Sequence, residues 1–130
     1  MLAGGLSVCI IGRNEAANLR RLASSLQPVT VGNTDVETVY VDSASTDESV
    51  NIARGLFDTV VSLHEGDGLC ASLGRYWGTC IAQKKWILYL DGDMQLQPEF
   101  VSFLRGWDRM QDVDGVLGSY INLYDNATQR

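Results

Sequence analysis

The sequence predicts an α/β protein in which helices cover a mainly parallel sheet to give three layers, α/β/α. Short apolar runs without polar alternation recur at Leu6–Ile11, Val36–Val41, Thr59–Leu63 and Trp86–Leu90, the pattern of strands buried on both faces. Segments with apolar residues at helical spacing lie between them, and strands alternating with helices form parallel sheets through right-handed crossovers. Acidic and small polar residues gather where the strands end, the edge at which open α/β sheets bind ligands.

Leu6–Ile11 is the first strand. A helix is expected over Asn14–Leu26, with Ala17, Leu19, Leu22, Ala23 and Leu26 on its apolar face. Pro28 is expected to stop it, because a proline removes a backbone donor and crowds the preceding turn. A polar loop with Gly32 and Asn33 leads to the second strand, Val36–Val41. Ser45 followed by Glu48 forms a capping-box pattern for a helix from Thr46 to Gly55, which Gly55 closes. Thr59–Leu63 is a short third strand, Leu69–Gln83 a helix and Trp86–Leu90 the fourth strand. Pro98 suits a first helical position and opens a helix expected to reach Met110. The final apolar stretch, Val116–Leu123, has the composition of an edge strand. Trp77, Trp86 and Trp107 fall at core-type positions, and His64 at a partly buried strand end.

With 130 residues, 45% of them hydrophobic, the chain has enough apolar surface for one core, so residues 1–130 are expected to form one domain. Its 16 acidic and 10 basic residues give a net charge of −6, which argues against nucleic acid or an anionic membrane as partner. No run approaches the roughly 18 apolar residues of a membrane span, and the N-terminus lacks a basic segment ahead of an apolar one. Cys9, Cys70 and Cys80 are odd in number and lack metal-type spacing, so reduced thiols filling a core are expected, and with them a cytoplasmic location. Asn126-Ala127-Thr128 matches a glycosylation acceptor that would matter only after secretion.

The strand ends carry Gly12-Arg13-Asn14-Glu15, Asp42-Ser43, His64-Glu65-Gly66-Asp67-Gly68 and Asp91-Gly92-Asp93. Two carboxylates two residues apart on extended backbone project to one side, and the glycine between them lets a ligand approach. Converging carboxylates repel unless a cation sits between them. Mg²⁺ or Mn²⁺ favours such oxygens, needs only one or two protein carboxylates and leaves positions for water and phosphate. Asp91 and Asp93 are therefore candidate ligands of a divalent metal that holds a phosphate group.

A second pattern competes. Gly66-Asp67-Gly68-Leu69-Cys70-Ala71 fits G-x-G-x-x-A after a strand and before a helix, with Asp91 about 20 residues on, as in an NAD-binding oxidoreductase domain. Its strand is not the first in the chain, however, and Glu65 and Asp67 would repel a pyrophosphate. A third possibility is a non-catalytic nucleotide-binding module.

Taken in order, Leu6-Ser7-Val8-Cys9-Ile10-Ile11-Gly12-Arg13-Asn14-Glu15, Val39-Tyr40-Val41-Asp42-Ser43-Ala44-Ser45-Thr46-Asp47 and Ile87-Leu88-Tyr89-Leu90-Asp91-Gly92-Asp93 resemble the inverting family 2 glycosyltransferases. The resemblance extends to about Phe103. It implies the Rossmann-like GT-A fold of nucleotide-diphospho-sugar transferases and metal-dependent, inverting transfer of a sugar from a donor, a UDP-sugar, to an unspecified acceptor. It places Arg13, Asn14 and Glu15 near the nucleoside, Asp42 at the base, Asp91 at the ribose, and Asp93, next to Gly92, on the metal, with Ser43 among the nucleotide-sugar-binding residues. Arg75 stands where members carry an Arg-Asn pair, but is followed by Tyr76; either contact with Asp42 or a phosphate, or a solvated place on its helix, is expected of it. Members continue beyond this point into an acceptor-binding half that supplies the catalytic base. The resemblance thus implies that this chain is the donor-binding part, from a longer enzyme or completed by another chain, and it assigns no base among Glu99, Asp108, Asp112, Asp114 and Asp125.

Overall fold

The computed structural model describes residues 4–106, 112–119 and 121. Four strands, β1 (Leu6–Gly12), β2 (Val36–Ser43), β3 (Thr59–Leu63) and β4 (Trp86–Asp91), form one sheet in the order β3-β2-β1-β4. Every adjacent pair is parallel. Four helices, α1 (Leu19–Thr30), α2 (Ser49–Arg54), α3 (Ala71–Ile81) and α4 (Pro98–Arg105), follow the strands in turn.

Side chains alternate across each strand, so the sheet builds two cores. Leu6, Val8 and Ile10 of β1, Tyr40 of β2 and Leu90 of β4 meet Leu19, Leu22 and Leu26 of α1, Ala53 of α2 and Val101 and Leu104 of α4. Cys9, Ile11, Val39, Val41 and Leu63 face the other way, against Leu69, Leu73 and Ile81 in and around α3. That gives the three expected layers. α3 lies unusually close to the sheet because Gly74 and Gly78 present no side chain to it. A Cβ on Gly74 would stand 3.0 Å from Ile11 Cγ2, and one on Gly78 3.2 Å from Cys9 Cβ. The Cys9 thiol donates to the Gly78 carbonyl at 3.4 Å, and burial, then the charge of Glu37, pushes its pKa up to about 11. Cys9 is thus core filler as expected, whereas Cys70 and Cys80 are exposed.

Several elements depart from expectation for local reasons. α1 begins at Leu19 rather than Asn14: Asn14 holds φ of 54°, outside the helical region, and residues 14–16 are tied to side chains that follow β2. It runs through Pro28 to Thr30; the proline forfeits one bond, to the Ser24 carbonyl a turn earlier, and buried Leu26 and Val29 hold that turn against the core. α2 starts at Ser49, since Ser45, the expected cap, is bonded to Asp42 instead. α4 ends at Arg105, and the expected continuation to Met110 lies outside the described residues, as do Trp107 and the Asn126 acceptor site. Val116–Ser119 and Ile121 are exposed and form no strand; Tyr120, Asn122 and Leu123 of that stretch are not described.

β4 was expected to be buried on both faces. It instead forms an edge of the sheet among the described residues, with Leu90 buried and Tyr89 42% exposed. His64 and Trp77 are exposed and Trp86 is partly buried. No described helix is long and apolar enough to cross a membrane.

Candidate active site

Register decides which strand-end residues meet. Ile11 pairs with Val41 on one side and Asp91 on the other, whereas Asp42 pairs with Gly12, one step further along. In-register residues of parallel strands share a face. Asp91 therefore projects on the α3 side with Ile11 and Val41, Ser43 returns to that side, and Asp42 falls on the opposite side with Tyr40.

An open cleft of about 390 Å³ lies over the carboxyl ends of β1 and β4 and the start of α3. It brings together six residues singled out from the sequence: Arg13, Glu15, Ser43, Asp91, Gly92 and Asp93. Close packing shapes its floor. The Gly92 amide donates to the Ile11 carbonyl at 2.8 Å, and a Cβ on Gly92 would stand 2.8 Å from Glu15 Cγ. A Cβ on Gly12 would approach Glu15 Cγ at 3.0 Å and the Tyr40 hydroxyl at 2.7 Å. The Glu15 side chain thus lies against both glycines, while its Oε2 accepts from Asn18 Nδ2 at 2.7 Å. Arg13 pairs with Glu65 at 2.7 Å across from it. Asp93 is exposed at the rim.

Three expected residues lie outside the cleft lining. Asp42 is 1% exposed, and its carboxylate accepts from the Ser45 amide at 2.7 Å, the Ser45 hydroxyl at 2.6 Å and the Tyr40 hydroxyl at 3.2 Å. Three of its roughly four acceptor positions are filled. Asn14, with φ of 54°, accepts at its side-chain oxygen from the Thr46 amide at 2.9 Å. Arg75 contacts neither Asp42 nor open solvent alone: its Nη2 lies 2.9 Å from Asp91 Oδ1.

The β1–α1 and β2–α2 loops are laced together. The amides of Asn14, Glu15 and Ala16 donate to Ser45 Oγ, Ser49 Oγ and Asp47 Oδ2 at 2.8, 2.8 and 3.2 Å. Hydrogen bonding from the Ser49 hydroxyl holds the Asp47 carboxyl below its ordinary pKa. Burial, followed by the Asp42 charge, raises that of Tyr40 beyond the usual range. Of the capping-box pair, Ser45 joins the two loops, while Glu48 accepts from Asn51 Nδ2 at 2.9 Å at the start of α2.

Among the described residues no group of three or more metal-ligating side chains converges. The donor set, two aspartates flanking a glycine, suits a hard cation that takes one or two protein carboxylates and completes its shell with water and phosphate. Leu69, Cys70 and Ala71 also line the cleft, a role not assigned to them from the sequence. Their signal was the G-x-G-x-x-A pattern itself, which marks a strand-to-helix turn at the ligand edge. That turn does not build a dinucleotide site: β2 and β1 lie between β3 and β4, so Asp91 is not on a strand beside β3. A Cβ on Gly66 or Gly68 would meet nothing within 4 Å, so neither glycine serves helix–strand packing.

The family profile described as "Glycosyl transferase family 2" matches residues 7–129. The chain belongs to this family. It is 31% identical over 123 residues to an uncharacterized glycosyltransferase of Rickettsia bellii (strain RML369-C), covering 95% of this chain and 39% of that protein. The crystal structure of S. aureus TarS 1-349 in complex with UDP matches with a TM-score of 0.69 and 22% identity, over 89% of this chain and 38% of that one. Glucosyl-3-phosphoglycerate synthase of Mycobacterium tuberculosis, in complex with Mn²⁺, UDP and glucosyl-3-phosphoglycerate, matches with a TM-score of 0.59 and 27% identity, over 78% and 38%. The family 2 chain therefore spans about two fifths of the length of these relatives, and the GT-A type of α/β fold implied by its motifs is borne out.

Proposed function

We propose that this family 2 domain is the donor-binding part of a glycosyltransferase that takes a nucleotide-diphospho-sugar, a UDP-sugar, and transfers its sugar with inversion to an acceptor bound elsewhere. The observation that carries this is the single cleft joining Arg13 and Ser43 on one side to Asp91-Gly92-Asp93 on the other. The mycobacterial synthase, which binds UDP and Mn²⁺, supports the choice of donor and metal.

Ser43 is the residue of the β2 end that reaches the cleft, and its hydroxyl can both donate to and accept from a base. Asp42 acts behind it by holding the loop. Leu69 and Ala71 give the base side an apolar wall, the usual composition of a small-molecule site. Asp91 accepts from ribose hydroxyls and Asp93 holds the divalent cation. Bound there, Mn²⁺ or Mg²⁺ would neutralise charge on the departing diphosphate. Arg13, opposite, adds a positive charge toward the phosphates.

Thermal denaturation with UDP, GDP or NAD, each with and without Mn²⁺, tests this, because a ligand that binds the folded state raises its melting temperature. UDP with Mn²⁺ is expected to stabilise most, and the Asp93→Asn variant to lose that metal-dependent increment. Stabilisation by NAD alone, or an unchanged Mn²⁺ effect in Asp93→Asn, would overturn the assignment.

A further inference from the structure

The Arg75–Asp91 ion pair stands apart from the rest of the cleft. Gly74 and Gly78 press α3 onto β1, so the backbone beside Arg75 is fixed by close contact with Ile11 and Cys9. From there the guanidinium crosses to the end of β4 and takes Asp91 Oδ1 at 2.9 Å, with both side chains 41% exposed. A pair this open contributes little to stability, so its effect has to be sought in the chemistry of Asp91. The guanidinium stays charged at any working pH. It takes one acceptor position of the carboxylate and places a positive charge where a cation would approach Asp91. Asp93, two residues on, has no hydrogen bond or ion pair with a described residue.

We infer that Arg75 is a positioning residue that withholds Asp91 from the divalent cation, so that metal is retained only when a diphosphate is present. This rests on the donor-cleft assignment above. With a guanidinium held against it, Asp91 keeps acceptor positions suited to a neutral hydroxyl but is a poor ligand for a second cation. The cation is left with Asp93 alone, and one carboxylate is a weak site until phosphate oxygens join it. Nucleotide and metal are thereby made to bind together. The same geometry explains why two aspartates that appear equivalent in sequence divide the work.

The test is Mn²⁺ binding by the full chain without nucleotide, read from water-proton relaxation, beside UDP binding with Mn²⁺ present, for wild type, Arg75→Met, Arg75→Lys and Arg75→Met/Asp91→Asn. Removing the guanidinium should tighten binding of Mn²⁺ alone about fivefold, since the nearby positive charge is gone. It should also weaken UDP affinity in the presence of Mn²⁺ about tenfold, because Asp91 is no longer oriented. Arg75→Lys, able to keep a single bond, should fall between. Adding Asp91→Asn should abolish the gain in metal affinity.

A purely structural staple would weaken both ligands together and lower the melting temperature. Mn²⁺ affinity unchanged or reduced in Arg75→Met, with a normal melting curve, overturns the inference, and a gain that survives Asp91→Asn does the same. Should wild type bind no UDP at any Mn²⁺ concentration, the donor assignment falls, while the metal-only measurement still reports on Arg75.

Discussion

β2 and β4 flank the same central strand and each carries an aspartate at its carboxyl end, yet Asp42 is sealed behind Tyr40 and Ser45 whereas Asp91 opens into the cleft. The cause is an offset of one residue. Asp91 is level with Ile11 and Asp42 with Gly12, so the pleat sends them to opposite faces. On the β2 side the buried carboxylate is consumed in building a loop. On the β4 side, at a sheet edge, the carboxylates stay available to a ligand. Residue type alone therefore does not separate framework from site; its parity along the strand does.

The largest effect should come from attacking the sealed side. Asp42→Ala strips the Ser45 amide, the Ser45 hydroxyl and the Tyr40 hydroxyl of their acceptor, and groups orphaned in the interior cost about 1–3 kcal/mol apiece. A total loss of about 3 kcal/mol is expected in urea denaturation. Asp93→Asn, exposed at the rim, should change stability by under about 0.5 kcal/mol while removing Mn²⁺-dependent UDP binding. If the two substitutions cost the same, the contrast between the strand ends is wrong.

Gly92→Ala probes where the two sides touch. Its Cβ would press on Glu15 at 2.8 Å and lie 3.4 Å from the Ile11 carbonyl, so a cost of about 1–2 kcal/mol from overpacking is expected, together with weaker nucleotide binding by calorimetry.

A pH titration sharpens the picture. The folded Asp47 carboxyl lies below its ordinary value, so its contribution to stability is present above the unfolded pKa and is lost as pH falls through the folded one. Below about pH 4, wild type should lose stability more steeply than Asp47→Asn, as followed by melting temperature.

The smallest effect is expected at Ala44, which holds φ of 55° without being glycine. Relief of that strain outweighs the added chain entropy of glycine only slightly, so Ala44→Gly should stabilise by about 0.5 kcal/mol.

Much of this was legible in the order of residues. The apolar runs located all four strands to within two residues, because each needs a continuous buried stretch and little else. Asp91-Gly92-Asp93 stood out as a candidate since paired carboxylates at a strand end lack a structural motive, and all three residues line the cleft. Helix starts were not: Asn14 and Ser45 have the side chains of caps, but use them on each other's loops, a choice set by tertiary proximity. The partial exposure of β4 was hidden as well, for Trp86–Leu90 has the composition of a strand buried on both faces, yet Tyr89 is 42% exposed. Asp42, expected at the base, lies outside the cleft lining because pairing register, which sets its direction, is a property of two strands and cannot be counted along one. Arg75 was singled out, but its partner became evident only once Gly74 and Gly78 had brought α3 down onto the sheet.

The lacing of residues 14–16 to Ser45, Asp47 and Ser49 has a thermodynamic corollary. A wall whose amides are already anchored has little conformational freedom left to surrender when a guest arrives, so the entropic penalty of association falls mainly on the ligand and on the opposite rim. Preorganisation on one flank leaves the other free to adjust.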